Sequence, residues 1–342
     1  MRIVVDAMGS DQFPVPDVEG AVMAAREYEV EIVLVGKEDL VRPALAAQNT
    51  DGLKVTLKHA PEMLTMEDKG MALALKAKRK EAKTSIAVGI DLVKNGEADA
   101  FVTAGNTGAC VAVAYFRLGM IPGVERPALA PPFPTKKGMC IVLDVGANPD
   151  CKPENLMQFA VMGAVYAERV RGVKKPKVGL LSNGEEPGKG NQLVKDAYPM
   201  LEASGLNFIG NVEGKEVFGG EADVVVTDGF TGNVLLKSSE AVAKLILDTV
   251  REKIQNGSPA AKFGGMLVRP TLRSMRQMLD PSEEGAAPLL GVNGLVFIGH
   301  GRSDASAIKN AVRVAKQAVE ANVLTTIRDE IARRVPETET HD

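Results

Sequence analysis

Ala100-Phe-Val-Thr-Ala-Gly-Asn-Thr-Gly-Ala109 holds a strand, a turn and a helix start in ten residues. Its first four positions are apolar or β-branched, as a buried strand requires. Ala104-Gly-Asn-Thr-Gly108 then supplies the small and polar residues that let a chain turn sharply and expose helix N–H groups. Runs of the same kind recur on either side: Ile3 to Val5, Ile32 to Val35, Val55 to Leu57, Ile141 to Leu143, Val178 to Leu181, Asn207 to Ile209, Val224 to Thr227 and Leu295 to Ile298. Between most of them lie helix-length stretches with apolar residues at 3 to 4 spacing, as in Leu156, Phe159, Met162 and Tyr166 after Pro153. Nine strands alternating with helices, several nearly continuous in apolar residues, predict an α/β fold. The expected architecture is a three-layer α/β/α sandwich around a mostly parallel, mixed sheet.

In such sheets ligands bind beyond the carboxyl ends of the strands. Five of those ends are alike: Asp6-Ala-Met-Gly-Ser-Asp11, Ala104 to Ala109, Asp144-Val-Gly-Ala-Asn148, Asp228-Gly-Phe-Thr-Gly-Asn233 and His300-Gly-Arg-Ser-Asp304. Turn chemistry and helix capping alone explain any one of them. Five in one chain point to a shared site built from helix N-termini, which favour anions.

Composition excludes several function classes. With 41 Lys and Arg against 44 Asp and Glu, the formal charge is −3, so no global basic field exists for nucleic acid. Cys110, Cys140 and Cys151 form no C-x-x-C pair, which argues against a disulfide framework or a zinc knuckle and for a reducing compartment. The first apolar run is broken by Asp6, too early for a signal-peptide core, and no window approaches a membrane span. A cytoplasmic location is expected.

The chemistry is narrowed by what is missing. Three histidines, His59, His300 and His341, and no G-x-S-x-G elbow disfavour serine catalysis. No P-loop occurs, and no G-x-G-x-x-G follows the first strand. Asp6, Asp11, Asp144 and Asp228 could hold magnesium but serve equally as caps, so no metal and no cofactor is assigned. What remains, together with Lys189 in Asn183-Gly-Glu-Glu-Pro-Gly-Lys-Gly-Asn191, suits a small oxyanion such as phosphate.

Two segments stand apart. Ser238 to Gly257 reads as one amphipathic helix with Val242, Leu245, Ile246, Val250 and Ile254 on one face. After it, Phe263-Gly-Gly-Met266-Leu267-Val268 forms an apolar tip whose only charged neighbours, from Lys253 to Leu279, are Lys253, Lys262, Arg269, Arg273 and Arg276. Such a tip fits a peripheral membrane contact or a dimer interface. Lys76, Lys78, Arg79, Lys80 and Lys83 form a second basic run, which reads as a solvated helix face or a docking patch for an acidic partner.

The strings DAMGSD, TAGNTGA, DVGANPDCKPENL, SNGEEPGKGN, FIGNVEG, EADVVVTDGFTGN, APLLGVNG and HGRSDA, in this order and across nearly the whole chain, resemble the bacterial phosphate acyltransferase family. The family commonly reads DAMGGD, LLNIGEE and Tyr-Gly-Gly where this chain has Ser10, Ser182-Asn183 and Glu284-Gly285-Ala286. The resemblance implies transfer of a long-chain fatty acyl group from acyl carrier protein to inorganic phosphate, feeding phospholipid synthesis. It also implies the fold of isopropylmalate dehydrogenases and phosphotransacetylases, a homodimer, and peripheral attachment to the inner face of the membrane, where a glycerol-3-phosphate acyltransferase consumes the product. A phosphotransacetylase acting on coenzyme A thioesters and a nicotinamide-dependent dehydrogenase of the same fold are the alternatives.

On this reading one catalytic α/β/α unit of two intertwined subdomains spans 1–334, with a helical contact segment at 238–280 and a polar tail at 335–342. The expected phosphate and thioester contacts are Asp6, Gly9, Gly105, Thr107, Gly108, Asp144 and Gly229. Asn106 is expected to hold phosphate with Lys189 as counter-charge. Asn148, Asn233 and His300 are expected to donate to the carbonyl oxygen or departing sulfur. Asp228, like Asp6 and Asp144, orients donors or caps helices. Lys76, Lys78, Arg79, Lys80 and Lys83 are assigned to carrier-protein docking, and Phe263, Met266, Leu267 and Val268 to the membrane.

Overall fold

The computed structural model describes residues 1–65, 67–68, 77–79 and 81–335 of the 342-residue chain. All nine expected runs are strands, but they divide between two mostly parallel sheets instead of filling one. β1 (Arg2–Asp6), β2 (Glu31–Gly36), β3 (Val55–His59) and β4 (Ala100–Thr103) join β5 (Ala128–Leu129), β11 (Ala286–Leu290) and β12 (Val296–Gly299) in the order β3-β2-β1-β4-β12-β11-β5. The second sheet has the order β6-β7-β10-β8-β9, from β6 (Pro132–Thr135), β7 (Gly138–Leu143), β8 (Lys177–Leu181), β9 (Asn207–Val212) and β10 (Val224–Val226). Among the named strands of the described residues, antiparallel pairing is confined to β11 with β12 and β5, and to β6 with β7.

β5, β6 and β11 escape a periodicity search because they are short and Pro131, Pro132, Pro134 and Pro288 interrupt them. Proline cannot donate to a ladder and is tolerated chiefly at sheet edges, where β5 and β6 lie. The chain crosses from one sheet to the other between Leu129 and Pro132.

Helices α1 (Val15–Tyr28), α2 (Glu38–Ala46), α3 (Ser85–Lys94) and α4 (Thr107–Leu118) serve the first sheet, and α10 (Ala305–Glu320) returns to it. α5 (Pro153–Arg169), α6 (Gln192–Ala203) and α7 (Gly214–Gly219) serve the second. α5 begins with Pro at its first position, and 13 of its 17 residues are buried, so it is covered on every side. It packs on β7 and β10 and against α11 (Val323–Arg334). One continuous core therefore reaches from Ile3, Ile32 and Phe297 through Phe159 to Leu143 and Val224.

α8 (Gly229–Gln255) and α9 (Pro259–Met278) form a hairpin of another kind. α8 buries only Gly229 and Gly232, and α9 buries no residue. The amphipathic helix expected from Ser238 begins nine residues earlier, at Gly229, because Asp228 caps it. Phe263 to Val268 is not a loop tip but part of α9, whose first turn starts at Pro259 behind the Ser258 cap. No helix among the described residues is long and apolar enough to cross a membrane.

Candidate active site

β1, β4 and β12 are neighbours, so the loops after them lie side by side at one end of the first sheet. The loops after β7 and β10 are likewise adjacent in the second sheet. Both groups border one cleft of about 1440 Å³, whose lining includes Gly105 to Gly108, Gly146, Asn233 and His300 to Ser303.

Short hydrogen bonds lock the first group. Asp6, fully buried, accepts from the Met8 N–H at 3.0 Å and the Thr103 hydroxyl at 2.8 Å. The Thr103 oxygen in turn accepts the Gly105 N–H at 2.9 Å. Burial raises the Asp6 carboxyl above its usual range, and these donors oppose the rise. Gly9 is required here: a Cβ on it would stand 2.9 Å from the Ala104 and Gly105 nitrogens. The Asp11 N–H donates to the Gly301 carbonyl at 2.6 Å and ties the first loop to the last.

Behind this network Ser10 donates to buried Asp17 at 2.6 Å, while Asp17 Oδ1 has no hydrogen-bond partner among the described residues. Burial pushes Asp17 up to about 7 despite the Ser10 hydrogen bond, with the nearby Asp6 charge adding to the rise.

Several expected contacts are used internally. Asn106 caps α4 by accepting the Ala109 N–H at 3.0 Å, and its amide donates to the Thr65 and Asp68 carbonyls at 2.9 and 3.0 Å. Its side chain is thus committed to the protein, not to phosphate. The Gly105 N–H is taken by Thr103. Thr107 and Gly108 remain, at the first turn of α4, where N–H groups lack intrahelical partners.

Asn148 is also committed. Its amide donates to the Pro127 carbonyl at 2.6 Å and to Asp144 at 3.0 Å, and it does not line the cleft. Asp144, buried and raised by that burial, collects the N–H groups of Leu129, Ala147 and Asn148. Asp228 accepts from the Thr231 N–H and hydroxyl, both at 2.8 Å, as the cap of α8. Gly229 seats that cap against the Asp144 loop: a Cβ there would lie 2.6 Å from Asp144 Oδ2 and the Asn148 carbonyl.

Lys189 lies away from the place expected of it. It is exposed in the loop after β8, does not line the cleft, and lays its stem over Gly184. The cleft draws its cations from Lys237 and Arg302. Lys237 pairs with Glu240 at 3.1 Å; the Arg302 side chain makes no hydrogen bond or ion pair among the described residues. Sequence alone does not mark either one, because Lys237 reads as one more helix-face lysine and Arg302 as a turn residue. Burial lowers the His300 pKa, and Arg302 and Lys237 lower it further, over the weaker opposition of Glu240 and Asp11. These shifts favour its neutral imidazole. Asn233 lines the cleft against Gly146, and its side chain has no hydrogen bond to a described residue.

The same cleft is lined by apolar Leu129, Phe133, Phe218, Leu236, Ile246 and Met278, with Asp280 and Glu284 near Met278.

Residues 1–326 match the family model described as "Fatty acid synthesis protein". The chain belongs to this family of phosphate acyltransferases. It is 46% identical over 333 residues to the phosphate acyltransferase of Elusimicrobium minutum, covering 97% of this chain and 96% of that one. To the phosphate acyltransferase of Geobacter sulfurreducens it is 47% identical over 323 residues, covering 94% and 92%. Among solved structures, the EutD phosphotransacetylase from Staphylococcus aureus superposes with a TM-score of 0.58 at 18% identity, covering 94% of each chain. The 4-hydroxythreonine-4-phosphate dehydrogenase from Klebsiella pneumoniae gives 0.51 at 13% identity, covering 93% and 97%. These two likenesses concern the fold: the phosphotransacetylase is one of the neighbours expected from sequence, and the second is a dehydrogenase other than the isopropylmalate enzymes expected.

Of the basic run, Lys78, Arg79 and Lys83 are exposed, whereas Lys76 and Lys80 lie outside the described residues. Arg117 holds this segment by donating to the Arg79 carbonyl at 3.1 Å and the Ala82 carbonyl at 2.9 Å.

Proposed function

We propose that the chain transfers a long-chain fatty acyl group from acyl carrier protein to inorganic phosphate, by direct attack of phosphate on the thioester. The observation that carries this reading is a single cleft that joins Arg302, Lys237 and the first turn of α4, with Asp11 and Glu240 beside them, to an apolar lining. Phosphate near neutral pH is already anionic and needs little general base, so the protein's task is to hold it beside the carbonyl and stabilise the oxyanion. The phosphate oxygen bonds to the carbonyl carbon, the C–S bond breaks, and the thiolate of the carrier's prosthetic arm leaves and takes a proton.

Arg302 and Lys237 supply counter-charge to the phosphate, taking the role first given to Lys189. The Thr107 and Gly108 N–H groups, Asn233 and neutral His300 are the donors available to the oxyanion. Asp6, Asp144, Asp228, Asn106 and Asn148 position these groups from behind.

Acyl carrier protein as donor is supported by Lys78, Arg79 and Lys83, exposed on a segment whose Thr65 and Asp68 are bound by the loop that begins α4. Complementary charge raises encounter rates with an acidic carrier. The uncovered hairpin of α8 and α9 supports a homodimer. On α9, Phe263, Met266 and Leu267, each about 60% exposed or more, flank a stripe of Lys262, Arg269, Arg273 and Arg276. That pairing of apolar and basic surface supports peripheral attachment to anionic lipid on the inner face of the membrane, next to the glycerol-3-phosphate acyltransferase.

The test is release of free thiol from palmitoyl carrier protein and from palmitoyl coenzyme A, with and without phosphate, the acyl-phosphate being trapped by hydroxylamine. Release that requires phosphate and prefers the carrier protein is expected. Equal rates with coenzyme A would replace this reading by a phosphotransacetylase, and no release from either thioester would end it.

A further inference from the structure

We infer that the apolar limb of the cleft holds the alkyl chain of the thioester along helix α8, with Ala243 setting the longest chain that fits. This rests on the acyl-transfer reading above and adds to it the place and the length limit of the chain.

The cleft-lining positions of α8 include Asn233, Lys237, Glu240, Ala243 and Leu247. Spaced three or four residues apart, they share one helix face. Along that face polarity changes once, from Asn233, Lys237 and Glu240 at the end that meets His300 to Ala243 and Leu247 at the far end. A thioester held with its carbonyl at Asn233 and His300 directs its first methylenes towards Ala243. Phe133 and Phe218, with ring centroids 6.2 Å apart, and Met278 of α9 add apolar side chains to the lining of the same cleft.

The lengths agree. Ten helical positions separate Asn233 from Ala243, about 15 Å at the helical rise. A bilayer's hydrocarbon core, two chains thick, is about 30 Å, so one long chain, partly coiled as it is in a bilayer, also spans about 15 Å. A chain terminus thus arrives at Ala243, the smallest side chain on this face beyond Glu240. Val242 and Ile246, each 54% exposed, and Met278, 51% exposed, are apolar cleft residues that a bound chain would cover. A second copy of the chain would cover such side chains too, but it has no need of a limb that opens at the reacting end.

Substitution of Ala243 tests the inference, since α8 is little buried and tolerates a larger side chain. Ala243→Phe should lower kcat/KM for palmitoyl carrier protein about tenfold, the loss of one or two buried methylenes, and leave decanoyl transfer within about twofold. Palmitate should also displace cis-parinaric acid from the wild type and do so poorly from Ala243→Phe. Ala243→Val should show the same order of chain preference with a smaller effect. Equal losses for both chain lengths, or no change for either, would overturn the assignment. So would loss of a dimer on sedimentation with unaltered chain preference, which would make the limb a subunit contact. If neither thioester reacts with the wild type, the acyl-transfer reading fails, and the parinarate competition still decides whether the limb binds an alkyl chain.

Discussion

The Asn106 amide donates to the Thr65 carbonyl at 2.9 Å, joining the loop that opens α4 to the segment that carries the basic run. One residue thus has two duties, since the same side chain caps α4 through its oxygen. Asn106→Asp keeps the cap and abolishes both donations to Thr65 and Asp68. Its expected effect is a several-fold rise in KM for carrier protein with phosphate KM little changed. Asn106→Ala should add about 1 kcal/mol of lost stability from the missing cap. Steady-state kinetics in both substrates, with thermal melts, separate the two duties.

Arg302 is a cation in the cleft with no ion pair among the described residues. Arg302→Gln should raise phosphate KM by about tenfold, the worth of one charge-assisted contact, and a titration of phosphate dependence reads this directly. The same substitution should raise the His300 pKa, because Arg302 is among the causes that lower it. Imidazole shifts followed by NMR against pH would show the rise; an unmoved titration would remove Arg302 from the neighbourhood of His300.

Asp17 carries a pH prediction for stability. Its folded pKa, about 7, lies above the ordinary 3.8, so between those values the unfolded chain has released a proton that the folded protein retains. Stability contributed by this group is complete below the ordinary value and is lost as pH rises through about 7. At 1.36 kcal/mol per unit the loss approaches about 4 kcal/mol. Asp17→Asn, which keeps an acceptor for Ser10, should therefore gain over the wild type at pH 8 and show little difference at pH 4. Denaturant melts at the two pH values check the sign.

The surface of α9 should act in attachment and not in turnover. Phe263→Ser together with Leu267→Ser is expected to release the protein from phosphatidylglycerol vesicles and to leave thiol release in solution unchanged. Flotation with vesicles, repeated at high salt, reads the apolar and the basic contributions separately.

Charge reversal at Lys78 and Arg79 should slow carrier-protein reactions most at low salt. Unaltered kinetics there would remove these residues from docking, since steering of this kind is strongest where screening is weakest.

Local chemistry alone determined the nine principal strands, the strand-end loops and the family. A buried strand, a glycine turn and a capped helix are each written in contiguous residues, and Ala100 to Ala109 contains all three. It did not determine how those strands divide into two sheets. That depended on β5, β6 and β11, short proline-bearing strands whose pairing is set by distant partners. Nor could residue type tell which polar side chains face the cleft. Asn106, Asn148 and Asn233 are alike in sequence, yet the first two spend their amides on the Thr65, Asp68 and Pro127 carbonyls and on Asp144, and only Asn233 keeps its amide for the cleft. Lys189 and Lys237 are equally alike, and strand order alone separates them: Lys189 follows β8, which lies beyond β10, whereas Lys237 lies on the helix that begins at the cleft. Turn and cap chemistry is local and can be read from the chain, whereas the direction in which a satisfied or unsatisfied polar group points is settled only by what packs against it.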